Sequence, residues 1–281
     1  MTKAVFIVGN KRSGSTHLMR LLSLHPNVFV SNESDILWIL YRFHNNLEIV
    51  PYPYDVPTGM NRTLDKYRDL LSKEKTPLEN FVTIQRAIME DGIDYVKPQH
   101  KENLLWIGDQ KPFQQIDPEI VPFSKEHFPG FKFIHLIRHP FPVIRSAKVI
   151  PVDDLLWKNM SEAEILEEWT RHEGWVQLEK DKNEAPMLDV KYENIIGHTQ
   201  REMARMFEFL GVTYDQAILE EARKITRSTI KVHPRISCPS ETESIMSQYG
   251  YKTRLFWLEK QSYINAFNFL RKVKRKLTGT W

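Results

Sequence analysis

The sequence predicts an α/β fold in which helices cover a central parallel β-sheet, and three observations carry that reading. Apolar runs of strand length recur at Ala4–Val8, Leu104–Gly108, Phe131–Ile137 and Met187–Val190. The first and third are nearly continuous, as expected of strands buried on both faces. Segments with helical spacing and capping chemistry lie between the runs, and strands alternating with helices favour parallel pairing.

Taken in order, Ala4-Val5-Phe6-Ile7-Val8 is rich in β-branched residues and stops at Gly9. Ser15 to Ser23 then places Leu18, Leu21 and Leu22 on one helical face. Asn45–Arg62 carries Pro51, Pro53, Pro57 and Gly59 and reads as a loop excursion. Thr76-Pro77-Leu78-Glu79 supplies a cap, a first-turn proline and a reciprocal Glu, opening a helix to about Glu90. Ser161–Glu164 and Thr199–Glu202 read as two further capping boxes, with Gly211 closing the second helix. Thr229–Tyr251 is rich in Pro, Ser and Gly with little periodicity and reads as a second irregular loop. Arg254–Leu277 has the pattern of an amphipathic helix ending in a run of basic residues, read as a solvated face. No internal repeat is visible, and 281 residues fit a single domain over 1–281.

Composition excludes several classes. Lys+Arg 39 against Asp+Glu 36 gives a net charge of +3, too weak a balance to argue a nucleic acid as partner. The 41% hydrophobic fraction excludes a disordered chain. The lone Cys238 excludes a disulfide scaffold and a cysteine-based zinc cluster. No stretch approaches the eighteen or so apolar residues of a membrane span, and the first residues lack the pattern of a signal peptide. The expectation is a soluble cytoplasmic protein; composition leaves its oligomeric state open.

Gly9-Asn10-Lys11-Arg12-Ser13-Gly14-Ser15-Thr16 has the G-x-x-x-x-G frame of a P-loop in the required strand-to-helix context. Successive N–H groups and the positive end of the following helix make a cradle for an anion. The Walker pattern places Lys directly after the second Gly, and here that position is Ser15. A kinase or NTPase would lose the cation that reaches the terminal phosphates. The cations sit inside the loop instead, at Lys11 and Arg12. A second basic segment, Arg138 to Ser146, follows the strand Phe131–Ile137, at the end where α/β sheets bind ligands. Two such sites suit a ligand with two separated anionic groups.

Together these segments resemble the sulfotransferases that use 3′-phosphoadenosine-5′-phosphosulfate (PAPS), most nearly the tyrosylprotein and bacterial branch. Lys11–Thr16 resembles their 5′-phosphosulfate loop, and Phe133–Ser146 their 3′-phosphate motif. The resemblance extends through His25-Pro26 to the turn Asn32-Glu33-Ser34, to Tyr192-Glu193 and to Arg227-Ser228-Thr229. It implies that Arg12, with Lys11 and the N–H groups of Ser13, Gly14, Ser15 and Thr16, holds the sulfuryl and 5′-phosphate oxygens. It further implies that Arg138 and Ser146 hold the 3′-phosphate. Tyr192 and the segment Ser228–Ser237, with Arg235, line the nucleotide. Glu33 is then the general base. The family's Gly-Asp-Lys-x-Pro reads Gly108-Asp109-Gln110-Lys111-Pro112 here, so Lys111, the implied catalytic cation, is displaced by one position.

The expected reaction is transfer of a sulfuryl group from PAPS to a hydroxyl or amine of a small metabolite, or to a peptide tyrosine, leaving adenosine 3′,5′-bisphosphate. A singly charged sulfuryl group needs no obligatory Mg²⁺, and no metal site is expected. The competing readings are an atypical P-loop kinase or NTPase and a non-catalytic nucleotide-binding module. From the residues alone, Glu33 or Asp35 equally reads as a cap for a helix beginning near Ile36. His17, His25 and His135 are further candidate bases; His135 reads as a core histidine and His25 as part of a helix-ending turn. Tyr41, Tyr52, Tyr54 and the neighbourhood of Trp157 read as acceptor walls or as ordinary packing.

Overall fold

Gly9 ends the first strand because its backbone, at φ 137, turns where a Cβ would lie 2.4 Å from the Leu136 carbonyl oxygen. That strand, β1 (Lys3–Gly9), is the centre of a five-stranded sheet in a computed structural model, which describes residues 2–92, 97–148, 159–226 and 238–251. With β2 (Val28–Asn32), β3 (Trp106–Gln110), β4 (Lys132–Ile137) and β5 (Met187–Lys191), the order is β2-β3-β1-β4-β5. Every pairing is parallel. Residues 4–9 of β1 and all of β2 and β3 are buried, so both faces are covered, as the unbroken apolar run requires. On one face Phe6 meets Phe81, Phe128 and Phe133 at centroid distances of 5.7, 5.6 and 6.3 Å.

The helices are α1 (Ser15–Leu22), α2 (Ile36–His44), α3 (Thr58–Tyr67), α4 (Pro77–Asp91), α5 (Ile120–His127) and α6 (Pro140–Lys148), then α7 (Glu162–Lys182), α8 (Tyr192–Gly197), α9 (Thr199–Leu210), α10 (Gln216–Ile225) and α11 (Ser240–Gln248). The capping boxes at Thr76 and Ser161 form as expected. The one expected at Thr199 does not. Thr199 Oγ1 donates to the Ile195 carbonyl, and Glu202 lies buried against Arg201 and Arg205. Gly211 closes α9 at φ 70, as anticipated.

Three further expectations change. β2 is a strand, although Val28-Phe29-Val30 is too short an apolar run to announce itself. The irregular stretch 45–62 passes into α3 at Thr58, and the stretch 229–251 contains α11. The expected strand at Leu104–Gly108 runs instead from Trp106 to Gln110, which carries its end to the site. The basic segment 254–277 lies outside the described residues. Among the described residues no helix is long and apolar enough to cross a membrane.

The topology positions the site. β1 and β4 are neighbours, with Gly9 opposite Leu136. The chain leaves β1 toward β2 on one flank and leaves β4 toward β5 on the other. Adjacent strands with connections departing in opposite directions open a crevice at their carboxyl ends, where α/β sheets take ligands.

Candidate active site

The loop after β1 is built to present backbone donors. Arg12 adopts φ 64 and Gly14 φ 97, so the chain coils on itself before α1. Gly14 is the N-cap of α1 and offers no side-chain cap. The N–H groups of His17 and Leu18 return to the Gly14 carbonyl, and those of Ser15 and Thr16 meet no acceptor among the described residues. Ser13 Oγ is buried without a hydrogen-bond partner among the described residues. Such a group inside a cradle of N–H donors fits a bound oxyanion. Packing against Tyr192 demands the glycine at 14, because a Cβ there would lie 2.3 Å from Tyr192 Cε2. Gly14→Ala is expected to cost about 1–3 kcal/mol through strain and the displaced ring, read as a lowered urea midpoint. An unchanged midpoint would show that the ring yields freely.

The second basic segment meets this loop directly. Arg138 Nη1 donates to the Arg12 carbonyl at 2.9 Å, and Arg12 Nε donates to Ser146 Oγ at 3.3 Å. The Arg138 guanidinium lies over the Tyr192 ring, 4.3 Å from its centroid. Burial holds Arg138 below the ordinary guanidinium range; Tyr192 and Glu193 oppose the shift and the nearby Arg12 charge adds to it. Two cationic side chains gathered at one loop favour an anion beside them. Glu193, the neighbour of Tyr192, accepts from the His139 N–H and from the Tyr251 hydroxyl, bracing the start of α6.

Behind the loop stands a buried polar frame. Asn10 Nδ2 donates to Glu173 Oε1 at 2.7 Å and Asn10 Oδ1 faces His172 Nδ1 at 3.1 Å, tying the loop to α7. The Trp169 indole on the same helix donates to the Arg138 carbonyl. His135 lies between Glu173 and Asp189, at 3.2 and 2.8 Å. Burial opposes charge on its ring, but the two carboxylates outweigh that and hold it above the ordinary imidazole range. It is a core histidine, as its mid-strand position suggested, with Nδ1 hydrogen-bonded to Asp189 and Nε2 approaching Glu173 without hydrogen-bond geometry. His25 also serves a turn, accepting from the Asn27 N–H and donating to the Thr213 carbonyl.

On the other side of the loop lies a carboxylate–lysine cluster. Glu33 and Asp35 both have left-handed backbone, at φ 47 and 53, in the turn between β2 and α2. Neither caps the helix through its side chain. Asp35 instead accepts from Lys111 Nζ at 3.1 Å and Gln114 Nε2 at 2.6 Å. Lys111 also meets Asp55 Oδ2 at 2.6 Å, and Asp55 Oδ1 meets Lys11 Nζ at 2.5 Å. The four form an alternating chain of charges. Glu33 is exposed at the surface, yet neighbouring protein surrounds its carboxyl. Enclosure pushes its carboxyl up, Lys111 and Lys11 pull it back, and Asp55 and Asp35 push it further.

The turn carrying Glu33 is held from several directions. Asp109 accepts from the Ser34 N–H and from Ser31 Oγ, and burial pushes its carboxyl up to about 6. From α3, Thr63 Oγ1 donates to the Ser34 carbonyl at 2.6 Å and Arg62 to the Glu33 carbonyl at 3.2 Å. Gln110 ends β3 facing Asn32 and the Thr16 side rather than the cleft: its Nε2 donates to Asn32 Oδ1, which also accepts from Thr16 Oγ1.

The structure therefore brings Lys11–Thr16, Arg138, Ser146 and Tyr192 together, with Glu33 and Lys111 beside Lys11. Ser228, Arg235 and Trp157 lie outside the described residues. Lys111 is buried in ion pairs with Asp35 and Asp55 rather than presented singly. Tyr52 is packing, its hydroxyl on Asp117, whereas Tyr54 is exposed against Trp175 and Arg171. Asp55 and Thr63 gave no signal in the sequence. Asp109 lay within the Gly-Asp-Gln-Lys-Pro segment, where its neighbour Lys111 drew the reading.

A five-stranded parallel sheet with a glycine-bounded strand-to-helix loop at its switch point, met there by Arg138 and Ser146, defines an α/β protein whose basic residues gather at the carboxyl ends of β1 and β4. The chain belongs to the sulfotransferase family, whose family model matches residues 4–216. It is similar in fold to the sulfotransferase domain of the Synechococcus PCC 7002 olefin synthase, with a TM-score of 0.59 at 21% identity, covering 90% of this chain and 96% of that one. A sulfotransferase domain from the curacin biosynthetic pathway gives 0.59 at 19% identity, covering 90% and 99%. A sulfotransferase from Alicyclobacillus acidocaldarius gives 0.53 at 16%, covering 92% and 99%. Comparison with curated protein sequences finds no match.

Proposed function

We propose that the protein transfers a sulfuryl group from PAPS to a hydroxyl or amine of a small metabolite or peptide, with Glu33 as general base. The observation that carries the reading is the contact of Arg138 and Ser146 with Arg12, beside the open N–H groups of Ser15 and Thr16. PAPS supplies the activated sulfuryl group when bound. Arg12 and the loop N–H groups hold its 5′-phosphosulfate end, and Arg138 with Ser146 holds its 3′-phosphate. Tyr192, already stacked on Arg138, walls the nucleotide.

On the acceptor side, Glu33 takes the proton of the attacking hydroxyl or amine. Its enclosure raises its proton affinity, which suits a base, and Lys111 keeps part of that shift in check. Fixed cations and N–H dipoles lower the barrier because they stabilise charge that grows on the departing phosphate oxygen. A P-loop kinase reading is disfavoured by Ser15 at the Walker lysine position.

Calorimetry tests the nucleotide reading. Adenosine 3′,5′-bisphosphate is expected to bind and ATP to bind far more weakly. Arg138→Ala and Arg12→Ala should each weaken bisphosphate binding by about 1.5–3 kcal/mol, a loss of roughly 10- to 150-fold. Preference for ATP, or full bisphosphate affinity in both variants, would overturn the assignment.

A further inference from the structure

Asp55 makes an unusual pair of contacts for a residue of a proline-rich surface loop. Its two oxygens take one ammonium each, Lys11 Nζ at 2.5 Å and Lys111 Nζ at 2.6 Å, and all three side chains are nearly inaccessible. The lysines come from different places: Lys11 from the phosphate loop and Lys111 from the end of β3. The Lys11 ammonium also lies over the Phe113 ring at 4.7 Å. Both lysines act on Glu33, so their meeting point adjoins the candidate base. Two ammoniums converging on a pair of oxygens form an oxyanion receptor, and here the oxyanion is a carboxylate of the chain itself.

We propose that Asp55 is a resident competitor for the sulfuryl group: the resemblance already gives Lys11 and Lys111 to the sulfuryl side, and an incoming sulfuryl group displaces the Asp55 carboxylate that occupies them here. The ligand assignment rests on the PAPS reading above. Exchange of one anion for another is physically cheap. A buried carboxylate in an ion pair contributes little net stability because desolvation cancels most of the attraction, whereas leaving the lysines unpaired is costly. A second oxyanion therefore displaces Asp55 at the small difference between two similar energies.

The loop is fixed on the near side of this tip, while within the tip Tyr54 packs on Trp175 and Arg171 and the Val56 N–H donates to Asp55 Oδ1. Tyr52 anchors the loop through its hydroxyl on Asp117 at 2.5 Å, and Trp38 anchors it through the Val50 carbonyl at 2.7 Å. Beyond Tyr52, the Asp55 N–H returns to the Tyr52 carbonyl in a single turn flanked by Pro53 and Pro57. Release of Asp55 then loosens residues 53–56 at the expense of the Tyr54 contacts with Trp175 and Arg171, leaves the Tyr52 and Val50 anchors seated, and couples donor binding to the shape of the acceptor side.

The test compares adenosine 5′-phosphosulfate, which carries the sulfuryl group, with AMP, which lacks it. In Asp55→Asn the preference for the phosphosulfate over AMP should rise about tenfold or more, the scale of a charge-assisted contact no longer contested. Hydrogen exchange on the wild-type protein needs no variant to fold: amides of 52–57 should exchange faster in the phosphosulfate complex than in the AMP complex. An unchanged or reduced preference in Asp55→Asn, or equal exchange in the two complexes, would make Asp55 a structural strut and overturn the proposal. Adenosine 3′,5′-bisphosphate separates the two readings. If the wild type binds none of these nucleotides, the PAPS reading falls and the subsite is judged with sodium sulfate against sodium chloride at matched ionic strength. Faster exchange of 52–57 in sulfate alone then supports it, and no difference overturns it.

Discussion

Glu33→Gln is expected to lower turnover by about 10²–10⁴-fold, the usual contribution of a positioned base, while bisphosphate binding is unchanged. Glutamine keeps the size and polarity of the side chain and loses only the capacity to take a proton. The contacts that hold the turn are backbone ones, the Glu33 carbonyl to Arg62 and the Ser34 N–H to Asp109, so the substitution leaves them intact. Enclosure raises the Glu33 carboxyl, so the acid limb of the wild-type rate profile should have its midpoint above the ordinary glutamate value. The variant should lack that limb. Stability gives an independent check. A folded-state value above the unfolded one means that the wild type loses stability as pH climbs through that interval. Glutamine does not titrate, so the variant should be at least as stable as the wild type at pH ~7.5 by denaturant titration. A slow but well-folded protein is the expected result; full turnover would remove Glu33 from the chemistry.

The second large effect is on the fold. Lys111→Met should destabilise the protein by about 3–5 kcal/mol at neutral pH, since removing one partner of a buried ion-pair chain leaves the others uncompensated. Lys111 is the shared cation of Asp35 and Asp55, and its neighbourhood of carboxylates holds its ammonium well above the ordinary lysine range despite burial. Without it, burial raises Asp35 further, and Asp55 keeps only Lys11. The penalty depends on pH with a definite sign. Carboxylates whose folded values lie above their unfolded ones cost stability only once the unfolded chain ionises, above about pH 4. Urea titrations at about pH 7.5 and pH 4.5 should therefore show a deficit that shrinks in acid. A variant as stable as the wild type at neutral pH would mean that the cluster is solvated and the chain of charges carries little.

The parts of the site that lie along continuous sequence were legible as sequence. The loop 9–16 announced itself because a buried strand, two glycines and a helix must occur in that order to make a cradle of N–H groups. The segment Arg138–Ser146 followed from its place after a second buried strand. The proposal of Glu33 as base rests on family resemblance, since in isolation its pattern equally suited a helix cap; Asp35 takes the N-cap position of α2, and neither side chain caps the helix. β2 escaped because three apolar residues between His25-Pro26-Asn27 and Ser31-Asn32 leave no periodicity to read. The Thr199 box failed for a local reason: the helix begins after His198, Thr199 Oγ1 turns back to the Ile195 carbonyl, and Glu202 pairs with Arg201 and Arg205 of its own helix.

What the linear pattern determined is the alternation of strands and helices, the glycine-bounded loop and the absence of a Walker lysine, because hydrophobic period and backbone conformation are local properties. The tertiary structure alone decided that Lys11 and Arg12, adjacent in the chain, take different partners, one Asp55 and the other Ser146. It also decided that an aspartate 44 residues away from Lys11 sits between two lysines. Charges separated along the chain meet only when the sheet order is set, and burial then fixes which of them must pair.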